Sequence, residues 1–252
     1  MRALGGQPQS LAIGASSVQK GETLADTALN LVALGAAGFV LRHGVAGAAH
    51  IVQRAVSCPV VNAGDGLHAH PSQALLDAAT LLRHWKINPL SSKKPLDGKS
   101  LLILGDIRHS RVARSNMELL PRLGARVYIS GPGTLLPSDE ELTGFPGIER
   151  VNFPDQLLPE VDAVMGLRLQ TERQTRGFIP SLGEYRKFWG LTVARMNQLR
   201  KEAVILHPGP ANPGVEVDLE AMHDSRSLIL DQVKMGVAAR MAILEWCFGG
   251  SK

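Results

Sequence analysis

The chain alternates short β-rich segments with longer segments of helical periodicity, and this alternation restricts the fold more than any other feature of the sequence. Apolar residues recur at helical spacing in residues 21–35, 47–56 and 71–85, while the intervening runs 38–43 and 59–64 are short and rich in apolar, largely β-branched residues. Strand–helix–strand units of these lengths form parallel sheets with crossover helices. We therefore predict an α/β fold.

A polar, proline-containing segment at 86–100 interrupts this pattern, and the alternation then starts again. The later segments predicted as strands are 100–106, 125–132, 161–169 and 203–209, and those predicted as helices are 111–124 and 230–246. In the last helix Val237, Met241 and Leu244 share one stripe, which predicts an amphipathic helix. The interruption indicates a boundary between two lobes, each a parallel sheet flanked by helices.

Composition excludes several classes of function. Cys58 and Cys247 lie far apart without C-x-x-C spacing, which disfavours a disulfide framework and a zinc ribbon and favours a reducing compartment. Aromatic residues make up 4% and there is no Lys/Arg-rich tract, so we predict no nucleic-acid partner. No apolar run reaches the ~18 residues of a membrane span and no signal peptide is evident, which predicts a cytoplasmic protein without membrane contact.

Two histidines, His68 and His70, stand one residue apart just before the predicted helix at 71–85. On a strand they would share a face like a pair of metal ligands, whereas before a helix they would suit an anion. The other histidines form no spaced cluster, so the metal interpretation is the weaker one. Neither G-x-G-x-x-G nor a P-loop sequence occurs, and we predict no metal and no cofactor.

Polar side chains follow several of the predicted strands. They are Arg42 and His43, the segment 65–73, the segment 106–111, Arg168 with Gln170, and the segment 207–210. Ligands of open α/β sheets bind at the carboxyl ends of strands, and arginine forks match carboxylates and phosphates. The net charge of +4 also suits an anionic substrate. The alternative is that each arginine is a solvated surface group.

Six segments together resemble the catalytic chains of aspartate carbamoyltransferases in order and spacing. They are residues 16–27, 41–50, 62–77, 105–116, 165–173 and 207–217. The related ornithine enzyme carries a cysteine-containing loop where this sequence reads HPGP, so the aspartate type fits better. The resemblance implies a carbamoyltransferase-like fold with a carbamoyl-phosphate-binding lobe, residues 1–85 joined by the C-terminal helix 228–250, and an aspartate-binding lobe, residues 86–227.

The resemblance also implies the reaction, transfer of the carbamoyl group from carbamoyl phosphate to L-aspartate in pyrimidine biosynthesis. Arg42 and His70 would hydrogen-bond the carbonyl oxygen, where negative charge builds. Gln73 would bind the carbamoyl amide, and Gly209 and Pro210 would shape the wall of the carbamoyl site. Two alternatives stay open: His70 as a cap of the following helix, and Gln73 as an exposed residue of its first turn.

The same resemblance places the aspartate carboxylates against Arg111, Arg168 and Gln170, with Glu172 orienting the aspartate-binding arginine. No nucleophilic side chain is required, because the substrate amine attacks and phosphate leaves. Ser16 and Lys20 match a loop that reaches the site of a neighbouring subunit, which implies a homotrimer with shared active sites. From the residues alone, Lys20 would be a surface lysine.

Two departures from the family pattern bear on activity. The Ser-Thr-Arg-Thr phosphate loop is absent from these 252 residues, and the opening MRALGG resembles the last turn of a helix, so we expect the first lobe to be N-terminally incomplete. Pro213 stands where the family usually has arginine. Three explanations stay open: a fragment or a late-started gene model, a short non-catalytic homologue that serves as an assembly or regulatory partner of a carbamoyltransferase or pathway complex, and an enzyme with a rearranged phosphate site.

Overall fold

The computed structural model describes residues 1–11, 22–169 and 178–249. In chain order its helices and strands are α1 (Leu24–Ala33), β1 (Phe39–His43), α2 (Ala48–Ala55), β2 (Val60–Asp65), α3 (Pro71–His84), β3 (Ser100–Leu104), α4 (Arg111–Arg122), β4 (Arg126–Ser130), α5 (Asp139–Leu142), β5 (Ile148–Arg150), β6 (Ala163–Gly166), α6 (Leu182–Trp189), α7 (Val193–Met196), β7 (Val204–Leu206), α8 (Leu219–His223) and α9 (Ile229–Phe248). The predicted α/β class is confirmed.

Contacts between Cα atoms divide the chain into two compact units. The first unit is Met1–Ser72 with Gly236–Lys252, and the second is Gln73–Met235. The division therefore falls inside α3 and α9, so most of α3 groups with the second unit. The functional boundary after residue 85 stays a prediction.

In the first unit, β1 and β2 pair in parallel, with Phe39 opposite Val60. Helices α1 and α2 cover this pair, and Ala28 and Val52 are buried in a small apolar core. Helix α1 starts at a capping box, in which the Thr23 hydroxyl accepts from the amide of Asp26 while the Asp26 carboxylate accepts from the amide of Thr23. The parallel pair with covering helices confirms the predicted layering.

The second unit contains a five-stranded parallel sheet in the order β5-β4-β3-β6-β7. The chain winds outward from β3 through β4 to β5, then returns to β6 beside β3 and continues to β7. All five residues of β3 are buried, and alternate side chains such as Leu102 and Ile103 enter apolar cores on opposite faces. In such a doubly wound sheet the strand order reverses between β3 and β6, and ligands bind at the carboxyl ends there.

Some elements differ from the sequence-based prediction. Strand β5 and helices α5 to α8 were not predicted, because elements of three to eight residues carry little periodicity. Helix α9 is present, but Val237 is 62% exposed, so the predicted stripe of Val237, Met241 and Leu244 is not buried along its whole length. The opening residues do form a short 3₁₀ turn, Arg2–Leu4, which ends at Gly5 with φ of 78°. None of the helices in the described part of the chain has the length and apolarity to cross a membrane.

Candidate active site

Three predicted binding segments lie at the same edge of the sheet in the second unit. Leu104 at the end of β3 is level with Gly166 at the end of β6, and Met165 is level with Leu206 at the end of β7. The segments that follow these strands are 105–111, 167–169 and 207–210. Their polar groups therefore emerge side by side at the point where the strand order reverses.

The segment after β3 is held by a buried carboxylate and ends in a helix cap. Asp106 accepts from the backbone amide of His109 at 3.2 Å and faces its Nδ1 at 2.9 Å. The hydroxyl of Ser110 accepts from the amide of Ala113 at 3.1 Å. Arg111 is the first residue of α4, where the amide groups and the helix dipole favour anions. A guanidinium at a helix N-terminus is well suited to a carboxylate ligand.

The segment after β6 continues the backbone ladder for one residue. The amide of Leu167 donates to the carbonyl of Leu104 at 2.9 Å, which fixes the position of the next residue, Arg168. Arg168 is half-buried at this edge.

The segment after β7 is held by hydrogen bonds to the side chains of Gln232 in α9 and of His207 within the segment. The amide of His207 donates to Gln232 Oε1 at 2.9 Å, and the amide of Gly209 donates to His207 Nδ1 at 3.0 Å. Gly209 has φ of 64°, a conformation that favours glycine, and the Gly209–Pro210 peptide is cis. Both residues are exposed, as the predicted wall of a substrate site requires.

A second buried carboxylate, Glu216, holds the part of this loop that follows Pro210. Glu216 accepts from the backbone amide of Asn212 at 2.5 Å and from its side-chain amide at 3.2 Å. The amide of Gly214 donates to the carbonyl of Val217 at 2.8 Å. The exposed Pro213 lies within this turn, so the loop accommodates proline where the family usually has arginine.

Buried groups lie beneath this edge. The hydroxyl of Tyr185 is buried close to Gly105, and a Cβ atom placed on Gly105 would lie 2.6 Å from it. Burial raises the pKa of Tyr185, and the charges of Glu216 and Asp106 raise it further. Tyr185 therefore stays neutral and packs against Gly105, the first residue after β3.

Gln73 lies in the first turn of α3 and is buried, so its interpretation as an exposed residue is wrong. Its Nε2 donates to Asp77 Oδ1 at 2.9 Å. Asp77 also accepts from Asn116 Nδ2 at 2.9 Å and from Gln232 Nε2 at 2.8 Å. Gln232 in turn binds the backbone of His207, so hydrogen bonds connect Gln73 to the segment after β7.

In the first unit, Arg42 and His70 also lie at carboxyl ends of strands. Arg42 is the penultimate residue of β1, on its exposed face. His70 follows β2 and precedes α3, and its Nδ1 lies 3.3 Å from the hydroxyl of Ser72. Both positions agree with the strand-end placement that the sequence predicts.

The loop that carries His68 and His70 is organised by Asp65, which is 1% exposed. Its carboxylate accepts from the amides of Gly47 at 2.6 Å and Ala69 at 3.1 Å and from Asn62 Nδ2 at 2.9 Å, and it faces His68 Nδ1 at 3.1 Å. Burial alone would raise the pKa of Asp65, but these hydrogen bonds outweigh it and leave the pKa below its usual value. His68 therefore has a structural partner.

The described residues include no group of three His, Cys, Asp or Glu side chains arranged to hold a metal ion. Four predicted site residues, Ser16, Lys20, Gln170 and Glu172, lie outside the described residues. The sequence assigned no individual role to Asp65, Asp77, Asn116, Glu216 and Gln232, which support the predicted residues. The one available signal was the spacing of Gln73 and Asp77, four residues apart on one helix face.

Comparison with known proteins agrees with this geometry. Residues 1–83 match the model of the carbamoyl-phosphate-binding domain of aspartate/ornithine carbamoyltransferases, and residues 97–247 match that of the aspartate/ornithine-binding domain. The aspartate carbamoyltransferase catalytic subunit of Myxococcus xanthus is 51% identical over 232 residues, 92% of this chain and 74% of that protein. The corresponding subunit of Syntrophobacter fumaroxidans is 48% identical over 235 residues, 93% of this chain and 73% of that protein.

Solved structures give the same result. Aspartate transcarbamoylase from Trypanosoma cruzi in complex with carbamoyl phosphate superposes with a TM-score of 0.81 at 29% identity, over 97% of this chain and 76% of that one. Ornithine carbamoyltransferase from Thermus thermophilus gives a TM-score of 0.75 at 26% identity, over 94% of this chain and 74% of that one. The chain therefore belongs to the aspartate/ornithine carbamoyltransferase family and is an enzyme of the carbamoyltransferase class.

Proposed function

We propose that this chain transfers the carbamoyl group of carbamoyl phosphate to the amino group of L-aspartate, a step of pyrimidine biosynthesis. The observation that carries the proposal is the sheet edge in the second unit, where Arg111, Arg168 and the segment 207–210 emerge together. The identity of about half of the residues to aspartate carbamoyltransferases favours aspartate over ornithine. Release of phosphate and formation of N-carbamoyl-L-aspartate complete the reaction.

Binding of aspartate falls to the second unit. Its two carboxylates need cationic, forked donors, which arginine supplies in bidentate geometry. Arg111 lies at the positive end of α4, and Arg168 lies two residues beyond the end of β6. Gln170 would contribute a further donor and Glu172 would orient an arginine, as the family resemblance implies.

The chemical step needs placement and charge stabilisation rather than a protein nucleophile. The aspartate nitrogen attacks the carbonyl carbon, the bond from that carbon to the phosphate oxygen breaks with its electron pair leaving on phosphate, and the amine loses a proton. Negative charge gathers on the carbonyl oxygen during the attack, and Arg42 and His70 would stabilise it there. Gln73 would orient the carbamoyl amide, while Gly209 and Pro210 limit its position.

We further propose that these 252 residues by themselves bind carbamoyl phosphate weakly, because the sequence contains no Ser-Thr-Arg-Thr phosphate loop. Each charge-assisted hydrogen bond that such a loop supplies stabilises binding by about 1.5–3 kcal/mol. Ser16 and Lys20 would supply phosphate contacts across the interface of a homotrimer. The chain would act in the cytoplasm.

The alternative function is that of a non-catalytic homologue that assembles with a full-length carbamoyltransferase or another enzyme of the pathway. The two functions differ in ligand binding. An enzyme should bind N-(phosphonacetyl)-L-aspartate, which combines both substrates, and a purely structural partner should not.

The proposal is tested with radiolabelled carbamoyl phosphate and L-aspartate. We expect labelled N-carbamoyl-L-aspartate above the uncatalysed rate but far below the rate of the Myxococcus xanthus enzyme. Arg168→Ala should abolish the product, and Arg126→Ala, at the exposed opposite end of β4, should not. No product together with no binding of the combined analogue would refute the proposed transfer by these 252 residues. Assembly with a full-length carbamoyltransferase would then support the structural alternative, and turnover at the full rate would refute the weak binding of phosphate.

A further inference from the structure

A buried carboxylate in the second unit binds three side-chain amides from three helices. Asp77 in α3 is 0% exposed and accepts from Gln73 of the same helix, Asn116 of α4 and Gln232 of α9 at 2.8–2.9 Å. A charge withdrawn from water is expensive even when it is well hydrogen-bonded, so such a group is a poor choice for stability alone. Its effect on the orientation of its partners offers a better explanation.

An ionised carboxylate accepts hydrogen bonds and donates none. Every amide that faces Asp77 must therefore present its NH₂ group and point its carbonyl oxygen elsewhere. Gln232 shows this consequence: its Nε2 donates to Asp77 Oδ1 at 2.8 Å, and its Oε1 accepts from the amide of His207 at 2.9 Å. Asp77 thus makes Gln232 present its oxygen to the backbone amide of His207, the first residue after β7.

The same constraint acts on Gln73. Its Nε2 donates to Asp77 Oδ1 at 2.9 Å, so its Oε1 points away from Asp77 and is the acceptor of this amide that can meet a ligand. An acceptor at that position matches the NH₂ group of a carbamoyl compound and has no hydrogen to offer an oxygen or a methyl group. Asp77, one helical turn after Gln73, therefore determines which atom of the Gln73 amide faces the substrate.

We propose that Asp77 is a positioning residue that gives the site its preference for a carbamoyl group, by holding the Gln73 amide with its oxygen toward the substrate. This inference rests on the proposed function, in which Gln73 contacts the carbamoyl amide. It assigns Asp77 a role in specificity, separate from the arginines that bind the carboxylates of aspartate.

Carbamoyl phosphate and acetyl phosphate form a matched pair of probes, because acetyl phosphate carries CH₃ where carbamoyl phosphate carries NH₂. The ratio of their affinities cancels the phosphate contacts and isolates the group that faces Gln73. Isotope-edited NMR titration of the full chain measures both dissociation constants even when binding is weak. For the wild type we expect a preference for carbamoyl phosphate of about tenfold, the value of one good hydrogen bond.

Asp77→Leu should abolish this preference, because leucine has a similar size but accepts no hydrogen bond, so the Gln73 NH₂ group is no longer held away from the substrate. Asparagine would not serve, because its oxygen could still accept from Gln73 and Gln232, which share Asp77 Oδ1. The control is Asp162→Leu, which removes another carboxylate from the same unit. Asp162 binds Ser100 and Arg200 just before β6, at the opposite edge of the sheet, and the preference should persist. An unchanged ratio in Asp77→Leu, even with both affinities reduced, overturns the inference and leaves the proposed function standing. A wild type that binds both compounds equally overturns the inference alone, and one that binds neither overturns both.

A measurement on the wild type keeps the inference testable if Asp77→Leu fails to fold. The ¹³Cδ resonance of the Gln73 side chain should shift when carbamoyl phosphate is added and stay in place with acetyl phosphate, because the carbonyl oxygen accepts from the substrate. A response confined to the Gln73 NH₂ resonances would show the opposite orientation and overturn the inference.

Discussion

Among single residues, buried carboxylates position the loops of the candidate site. Asp65 joins the end of β2 to the first turn of α2, and Glu216 closes the loop that contains Pro213. Asp65 accepts from the backbone amides of Gly47 and Ala69, and Glu216 accepts from the backbone amide of Asn212. Loops without regular structure are thereby held in one conformation.

Asp65 should make stability depend on pH. Its folded pKa lies below the unfolded value of about 3.9, so its contribution is present above that value and is lost as the pH falls through the folded pKa. Asp65→Asn should lower the free energy of unfolding by about 1–3 kcal/mol at pH 7, and the difference from wild type should shrink at pH 3. Urea titration at both pH values measures it.

The control for Asp65 is Asp139→Asn, since the Asp139 side chain is 94% exposed. It should change the free energy of unfolding by less than about 0.5 kcal/mol at either pH. An Asp65→Asn difference of equal size at pH 7 and pH 3 would show that the residue acts through its shape and not through its charge.

How far the sequence predicts the site depends on how local each interaction is. Arg111, Arg168 and Gln73 are identifiable from their places at strand and helix ends and from the family motifs. Asp77 is not, because two of its partners lie 39 and 155 positions away in the chain. Side-chain hydrogen bonds between such distant segments leave no periodic signal in a single sequence.

Among the elements, the turn at Gly105 after β3 positions the segment that leads to Arg111, the first residue of α4. Gly105 has φ of 123°, and its amide donates to Ser130 of β4 at 2.8 Å. This conformation is rare for residues with a side chain, and Tyr185 fills the space where a Cβ would stand. The turn therefore depends on glycine for two independent reasons.

Gly105→Ala should destabilise the fold by about 1–3 kcal/mol, through backbone strain and the approach of Cβ to the Tyr185 hydroxyl. It should also weaken binding of aspartate, because the segment that leads to Arg111 must shift. Thermal unfolding and titration with aspartate in the presence of phosphate measure the two effects. Gly133→Ala is the matched control, since Gly133 has open space at its Cβ position. Equal stability of the two variants would contradict this account.

The elements themselves were predictable in proportion to their length and pattern. Helices α1, α3 and α4 carry clear periodicity and lie close to their predicted bounds, and the central strands β3 and β6 are continuous apolar runs within their predicted segments. The four-residue helices α5 and α7 follow the N-cap residues Ser138 and Thr192, which are easily taken for loop residues in a sequence. Their formation depends on the surrounding structure, which a local pattern does not contain.

For the whole molecule, the first unit leaves large apolar side chains in contact with solvent. Leu34 is 84% exposed and Val45 59% exposed, and Leu29, Val40 and Ile51 are each about half exposed. Exposed apolar side chains are available for contacts with other chains. They are compatible with the proposed association of several copies, which rests on the resemblance of Ser16 and Lys20 to an intersubunit loop.

The last prediction concerns the assembly. If active sites are shared between neighbouring subunits, the chain of 27.0 kDa should form a particle of about 81 kDa, three times its own mass. Light scattering coupled to gel filtration measures this mass, and dilution should reduce it together with binding of N-(phosphonacetyl)-L-aspartate, because a lone subunit lacks its neighbour's Lys20. Lys20→Ala should retain the trimer and lose analogue affinity, whereas Lys201→Ala, an exposed lysine beyond α7, should retain both. A monomer that binds the analogue tightly at every concentration would contradict shared sites, since each subunit would then hold a complete site of its own.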